Sequence, residues 1–174
     1  MLLRAFAIAL VATCAILVAQ TTSQPSQTIP QPGELAPDFT LAESTGSPVK
    51  LSAYKGRVVL LDFWATWCEG CKVEIPWFVE FQNRYRKDGL RAIGVSMDDD
   101  GWKSVKPYVE QHKLNYPVVI ADQDLAKRYG GLPFLPMTLL IDRDGKIAEA
   151  HPGVVDKQAF ENTIKALLKE SPAR

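Results

Sequence analysis

Residues 58–76 read Val-Val-Leu-Leu-Asp-Phe-Trp-Ala-Thr-Trp-Cys-Glu-Gly-Cys-Lys-Val-Glu-Ile-Pro, and the rest of the chain is legible from this stretch. Its first seven residues, Val58–Trp64, are apolar except for Asp62, which predicts a strand buried on both faces. Beyond it, Ile75, Phe78, Phe81 and Tyr85 recur at helical spacing within residues 69–87. Cys68 and Cys71 then share one side of the first helical turn, with Cβ atoms about 5–6 Å apart. Small local adjustment brings such a pair within disulfide reach. A bridge over two residues closes almost no loop and adds little chain-entropy stabilisation. The pair suits opening and closing better than stapling, so it points to redox chemistry.

Cys68 is expected at the helix N-cap, where free backbone N–H groups and the helix dipole stabilise a thiolate and make it the nucleophile. Cys71, one turn in, is expected to be more buried and to resolve the mixed disulfide. Resolution requires that a proton leave the second thiol. A carboxylate in apolar surroundings can take it, because burial raises its pKa. Two acids are candidates: Asp62, in mid-strand where a charge has no packing purpose, and Glu74, three residues after Cys71 on the same helix face. The competing readings are an acid met by solvent for Asp62 and an ordinary surface residue for Glu74. A structural disulfide or half of a zinc site would be the alternatives for the cysteines. Zinc would need two further ligands, and the two histidines, His112 and His151, are far apart in sequence and read as ordinary surface or core residues. No metal is therefore expected. Pro76 is expected to kink the helix.

Working outward, segments alternate between β and α patterns, as in a mixed sheet flanked by helices. Leu90–Met97 reads as a second buried strand, and Asp98-Asp99-Asp100-Gly101 as a strand-to-helix turn. Trp102, Val105 and Val109 form a helical stripe, expected to be strained or to begin late because of Pro107. Val118–Ala121 is a short strand and Asp124–Tyr129 a short helix. Met137–Asp142 and Lys146–Ala150 pair as a hairpin over Arg143-Asp144-Gly145. Phe160, Ile164, Leu167 and Leu168 mark a closing amphipathic helix.

The chain has 174 residues, 47% hydrophobic and 23% charged, enough for one domain with a sizeable core. Lys and Arg number 20 and so do Asp and Glu, a balance that argues for neither a nucleic-acid footprint nor an anionic-membrane partner. At the N-terminus, Arg4 and the apolar run Ala5–Ala19 read as an export signal, cleaved near Ala19 or retained as an anchor. Cleavage would remove Cys14 and leave Cys68 and Cys71 as the mature chain's two thiols. Residues 20–32, rich in Gln, Ser, Thr and Pro, read as a flexible tether, and 33–174 as the folded domain. Export places the pair in an oxidising compartment, where a reductant needs an electron donor.

Together, DFWATWCEGCKVEIP at 62–76 and FLPMTLLIDRDGKI at 134–147 resemble the thioredoxin fold, and more narrowly the exported TlpA/ResA-type thiol–disulfide oxidoreductases. The resemblance runs from about Gly33 to the last helix. It implies that Cys68 attacks and Cys71 resolves, that Asp62 is the buried aspartate of thioredoxins, and that Glu74 is the glutamate this branch sets beside its CxxC. It implies a cis peptide at Pro136, facing the disulfide, with Trp67 and Leu135 beside it where substrate docks. The stretch Asp98–Asp122 looks like the family's central insertion. No cofactor beyond a redox-active Cys68–Cys71 disulfide is implied. The implied partners are thiols and disulfides of exported proteins, as in cytochrome c maturation, and a membrane thiol–disulfide donor, for a periplasmic or extracytoplasmic monomer. Two departures stand out. Glu69-Gly70 lies between the cysteines where X-Pro is usual, making that turn less rigid. The loop Gly130–Pro136 carries an extra residue and a rival proline, Pro133.

Two other functions compete. A peroxiredoxin-like thiol peroxidase shares the fold, but Leu61 and Ala65 stand where its pattern requires Pro and Thr or Ser. A copper-binding chaperone would use a wider CxxxC and a histidine. As to direction, strong oxidants near −120 mV stabilise their thiolate more than thioredoxin, at about −270 mV, does. Glu69, beside Cys68, opposes a thiolate, so a reductant-like potential is expected.

Overall fold

The computed structural model describes residues 28–170. The expected signal or anchor at 1–19, Cys14 and most of the tether lie outside the described residues.

Val58–Trp64, here β3, is buried along its whole length at the centre of a five-stranded sheet. The sheet order is β5-β4-β3-β6-β7. Here β4 is Leu90–Ser96, β5 Val118–Ile120, β6 Met137–Ile141 and β7 Ile147–Pro152. β3, β4 and β5 run parallel, and β6 and β7 antiparallel, the latter pair with a bulge at Leu140/Ile141. A small antiparallel pair, β1 (Thr40–Ala42) and β2 (Pro48–Lys50), precedes this sheet and leads into a 3-10 turn at Leu51–Tyr54. Helix α1 is Glu69–Tyr85, α2 Trp102–His112, α3 Gln123–Arg128 and α4 Lys157–Lys169.

Because strand side chains alternate, β3 divides the core in two. Val58, Leu60 and Trp64 pack with Cys71, Ile75, Phe78 and Phe81 of α1, Val105 of α2, and Phe160 and Ile164 of α4. Val59, Leu61 and Phe63 pack on the other side with Phe39, Leu125, Tyr129 and Leu139. Asp62 belongs to the first face and sits between Leu60 and Trp64, on the side that carries the cysteines.

Two expectations are revised. α2 starts at Trp102 and holds Pro107 within it, so it neither begins late nor breaks; Pro107 is exposed, where a missing donor is tolerated. α1 holds Pro76 within it, also exposed. The tether also ends earlier than residue 32. Pro30 is buried and Ile29 packs on the second core face, while Gly33 N–H donates to Ile147 O at 2.8 Å. The stretch Asp98–Asp122 supplies α2 and the edge strand β5.

Gly130 allows residues 28–29 to lie down. It has φ +82°, and a Cβ there would stand 2.5 Å from Ile29 N and 2.8 Å from the Thr28 carbonyl carbon. Gly130→Ala is therefore expected to cost about 2–4 kcal/mol in denaturant unfolding, from positive-φ strain and the backbone clash together.

Candidate active site

Four connections meet where the carboxyl end of β3 feeds α1. Cys68 is the N-cap of α1 in extended geometry, and its Sγ accepts the Cys71 N–H at 3.2 Å. Cys68 and Cys71 are disulfide-bonded, with Cα atoms 5.3 Å apart. Cys68 keeps 6% of its surface, whereas Cys71 is fully buried. One sulfur can thus be approached from outside, and the other only through it.

The loop before Cys68 is pinned by Asp98, just past β4. Its carboxylate accepts from Thr66 N–H at 3.0 Å, from Thr66 Oγ1 at 2.5 Å and from Ser96 Oγ at 2.8 Å. Reasoning from sequence treated Asp98 as part of a generic acidic turn; its burial to 5% and its donors mark it as structural. On the other side, the Leu135–Pro136 peptide is cis, at the proline named from the resemblance and not at Pro133. The Pro136 carbonyl accepts from Gly153 N–H at 2.8 Å, which draws the β7–α4 connection over the site.

Gly70 explains the departure from X-Pro. A Cβ there would stand 2.9 Å from Val154 Cγ2 and 3.0 Å from Pro136 Cδ. The cis-proline loop and Val154 close down onto bare backbone, leaving no space for a side chain. The turn is confined by its surroundings even though its own residue is permissive.

Both candidate acids are buried beneath this assembly. Asp62, 1% exposed, accepts a long 3.4 Å bond from Thr138 Oγ1, and its Oδ2 has no partner among the described residues. Burial, followed by the charge of Glu74, pushes Asp62 well above the ordinary aspartate range. Glu74 is fully buried, and its Oε1 accepts the Val155 N–H at 2.5 Å while Oε2 has no partner. Desolvation raises it to about 7, against the lowering effect of the Val155 bond. Sequence spacing put Glu74 on the face of Cys71; no local signal announced the Val155 donor, 81 residues away. Trp64 Nε1 and Tyr116 Oη are also buried without partners on this face.

Glu69 does not act as a lone charge beside Cys68. Its carboxylate is 84% exposed and sits 2.6 Å from Lys72 Nζ, so a partner and solvent both screen it. Among the described residues no cluster of three or more His, Cys, Asp or Glu is placed to hold a metal. His151 pairs with Glu149 at 2.7 Å, and His112 stacks on Tyr108. Nor is any described helix long and apolar enough to cross a membrane.

Above Cys68 opens a cleft of about 560 Å³, lined by Trp67, Met97, Asp99, Phe134 and Leu135 among others. Trp67 and Leu135, expected at a docking surface, both line it; Pro136 lies behind Leu135, buried against Gly70.

Residues 32–150 match the model of the AhpC/TSA family. Over 136 residues, 78% of each chain, the sequence is 35% identical to the thiol-disulfide oxidoreductase ResA of Bacillus thuringiensis subsp. konkukian. A thiol:disulfide interchange protein described as DsbE, from Chlorobium tepidum, superposes with a TM-score of 0.74 at 35% identity, covering 80% of this chain and 99% of that one. The exposed lipoprotein thioredoxin of Streptococcus pneumoniae superposes with a TM-score of 0.65 at 30% identity, covering 75% and 100%.

The buried acids make stability depend on pH. From about pH 4.5, where Glu74 ionises in the unfolded chain, to about 7, where it ionises in the fold, the folded state holds more protons. Stability of the disulfide form should therefore fall as pH rises through that window. Thermal unfolding at pH 5 and pH 8 checks this: Glu74→Gln should shrink the difference and leave the part due to Asp62.

Proposed function

The chain belongs to the AhpC/TSA family and is a ResA-like thiol–disulfide oxidoreductase of thioredoxin fold, and from that premise we propose that it reduces disulfides of exported proteins. Exchange itself follows from the kinship and from the Cys68–Cys71 bridge. The observation that carries the direction is the pair of buried carboxyls under the cysteines. Ionised carboxylates there oppose a neighbouring thiolate, which disfavours the reduced form and makes it the better electron donor. Glu69, paired with Lys72, contributes little to this.

In the reductive direction the Cys68 thiolate attacks a partner disulfide, and the partner's leaving sulfur takes up a proton. Cys71 then gives its proton to a carboxylate, and its sulfur attacks Cys68. This releases the partner's second thiolate and restores the Cys68–Cys71 bridge. Two electrons pass to the partner; water supplies the proton for its first leaving sulfur, and the proton held on the carboxylate goes to its second thiolate, which leaves the carboxylate ionised again. Glu74 is the better acceptor, because a base works best with a pKa near the working pH and Glu74 lies near 7. Asp62, raised by burial and by the charge of Glu74, is the second carboxyl of the same apolar setting. Trp67 and Leu135 border the partner's path, with Pro136 buried behind Leu135 against Gly70. The bridge is the redox group, and no separate cofactor takes part.

The signal-like run Ala5–Ala19 and the likeness to an exposed lipoprotein thioredoxin of Streptococcus pneumoniae support an extracytoplasmic site of action, with a membrane thiol–disulfide donor returning Cys68 and Cys71 to the reduced state. Cytochrome c maturation is one pathway of this type.

A Cys71→Ala variant should hold its partner as a mixed disulfide through Cys68, identifiable by mass spectrometry, and Cys68→Ala should hold none. Stopped-flow resolution in Glu74→Gln should slow by about 10–100-fold at pH 7 and lose the inflection near 7. Asp62→Asn should keep that inflection, and an unchanged profile in Glu74→Gln would transfer the role to Asp62. Equilibration with a glutathione couple should place the potential towards the thioredoxin end; a value near −120 mV would overturn the direction.

A further inference from the structure

The cleft over Cys68 carries a chemical preference that the exchange reaction alone does not require. Its walls are apolar and open: Trp67 is 64% exposed and Phe134 63%, and Met97 and Leu135 line it with them. Large apolar side chains left in water beside a reacting atom are an anchor for a partner's apolar side chain. Phe134 belongs to the Gly130–Pro136 loop with the extra residue, so the anchor is a feature of this chain's own loop.

The charge of the cleft is one-sided. Among its lining residues the charged ones are Glu69 and Asp99, both acidic, and none is Lys, Arg or His. Glu69 is committed to Lys72. On the other acids of the turn, Asp98 is buried and occupied by Thr66 and Ser96, and Asp100 accepts from Ser104 Oγ at 2.6 Å. Asp99 is exposed and takes no hydrogen bond or ion pair among the described residues. Its place in the wall is nevertheless fixed, because the adjoining Asp98 is bonded to the loop that carries Trp67 and Cys68. A free carboxylate held at the mouth of an apolar cleft speeds the approach of a cation and repels an anion.

We propose that the cleft selects protein segments in which the reacting cysteine is flanked by one apolar side chain, seated between Trp67 and Phe134, and one Lys or Arg, facing Asp99. The proposal rests on the oxidoreductase reading above. A second copy of this chain fits poorly, since its own cleft would bring Glu69 and Asp99 against Glu69 and Asp99.

Single-turnover reduction of short peptide disulfides by the dithiol form of the full chain tests this. Peptides would carry Leu and Lys, Leu and Glu, or Ser and Lys around one cysteine. The Leu–Lys peptide should react about tenfold faster than Leu–Glu at low salt, and the gap should close at high ionic strength. Asp99→Lys should reverse that order, and Phe134→Ala should erase the advantage of Leu–Lys over Ser–Lys. Equal rates for Leu–Lys and Leu–Glu, an order untouched by Asp99→Lys, or a cleft-mediated dimer at assay concentration that Asp99→Lys disrupts would each overturn the proposal. Reaction with none of the peptides would instead count against the oxidoreductase reading itself.

Discussion

Two ionisable groups that cannot both afford to be charged lie under one end of α1. Asp62 comes from the middle of the most buried strand, and Glu74 from the first turns of the helix above it. Neither has enough donors to pay for its desolvation: one long bond from Thr138 and one short bond from Val155 leave an oxygen bare on each. The sheet and helix hold this arrangement because the apolar packing around it, from Leu60 and Trp64 to Phe78 and Phe160, exceeds its cost. A protein under no functional demand would gain by replacing either acid with an apolar residue of similar shape. Retaining both keeps two carboxyls, each raised by burial, on the core face that Cys71 shares.

The same region is mechanically tied. Asp98 fixes the approach to Cys68, and Gly153 fixes the carbonyl of Pro136. Glu74 fixes Val155, so the proposed proton acceptor is also a tether for the β7–α4 connection, whose Val154 closes over Gly70.

Much of this was legible in the chain. β3 and α1 announce themselves through unbroken apolarity followed by a 3.6-residue rhythm, and Cys68, Cys71, Asp62 and Glu74 fall into place on them. Pro107 misled, because a rule about helix interiors carries less weight where the ring faces water. The pair β1 and β2 went unread: three-residue strands with one buried position between them, Val49, have no period to detect. Long-range partners were invisible for the same reason. Nothing local in Asp98, Gly70 or Glu74 tells of Thr66, Val154 or Val155, since those contacts exist only after distant loops converge. Glu69 was misjudged by considering Cys68 and not Lys72, one helical turn away.

The early residues also run beside the outer strands of the sheet. Leu35 bridges Lys146, and Gly33, Glu34 and Ala36 exchange backbone bonds with Gly145 and Ile147, where β7 begins. Further on, β1 and its turn come alongside the opposite border, where Glu43 and Ser44 share a cleft with Tyr116 and Val118 next to β5. An outermost strand with idle amides invites a foreign strand to continue the ladder. Residues 33–44 lie against the start of β7 on one border and beside β5 on the other, so part of each border is occupied by the chain's own backbone and closed to a foreign strand.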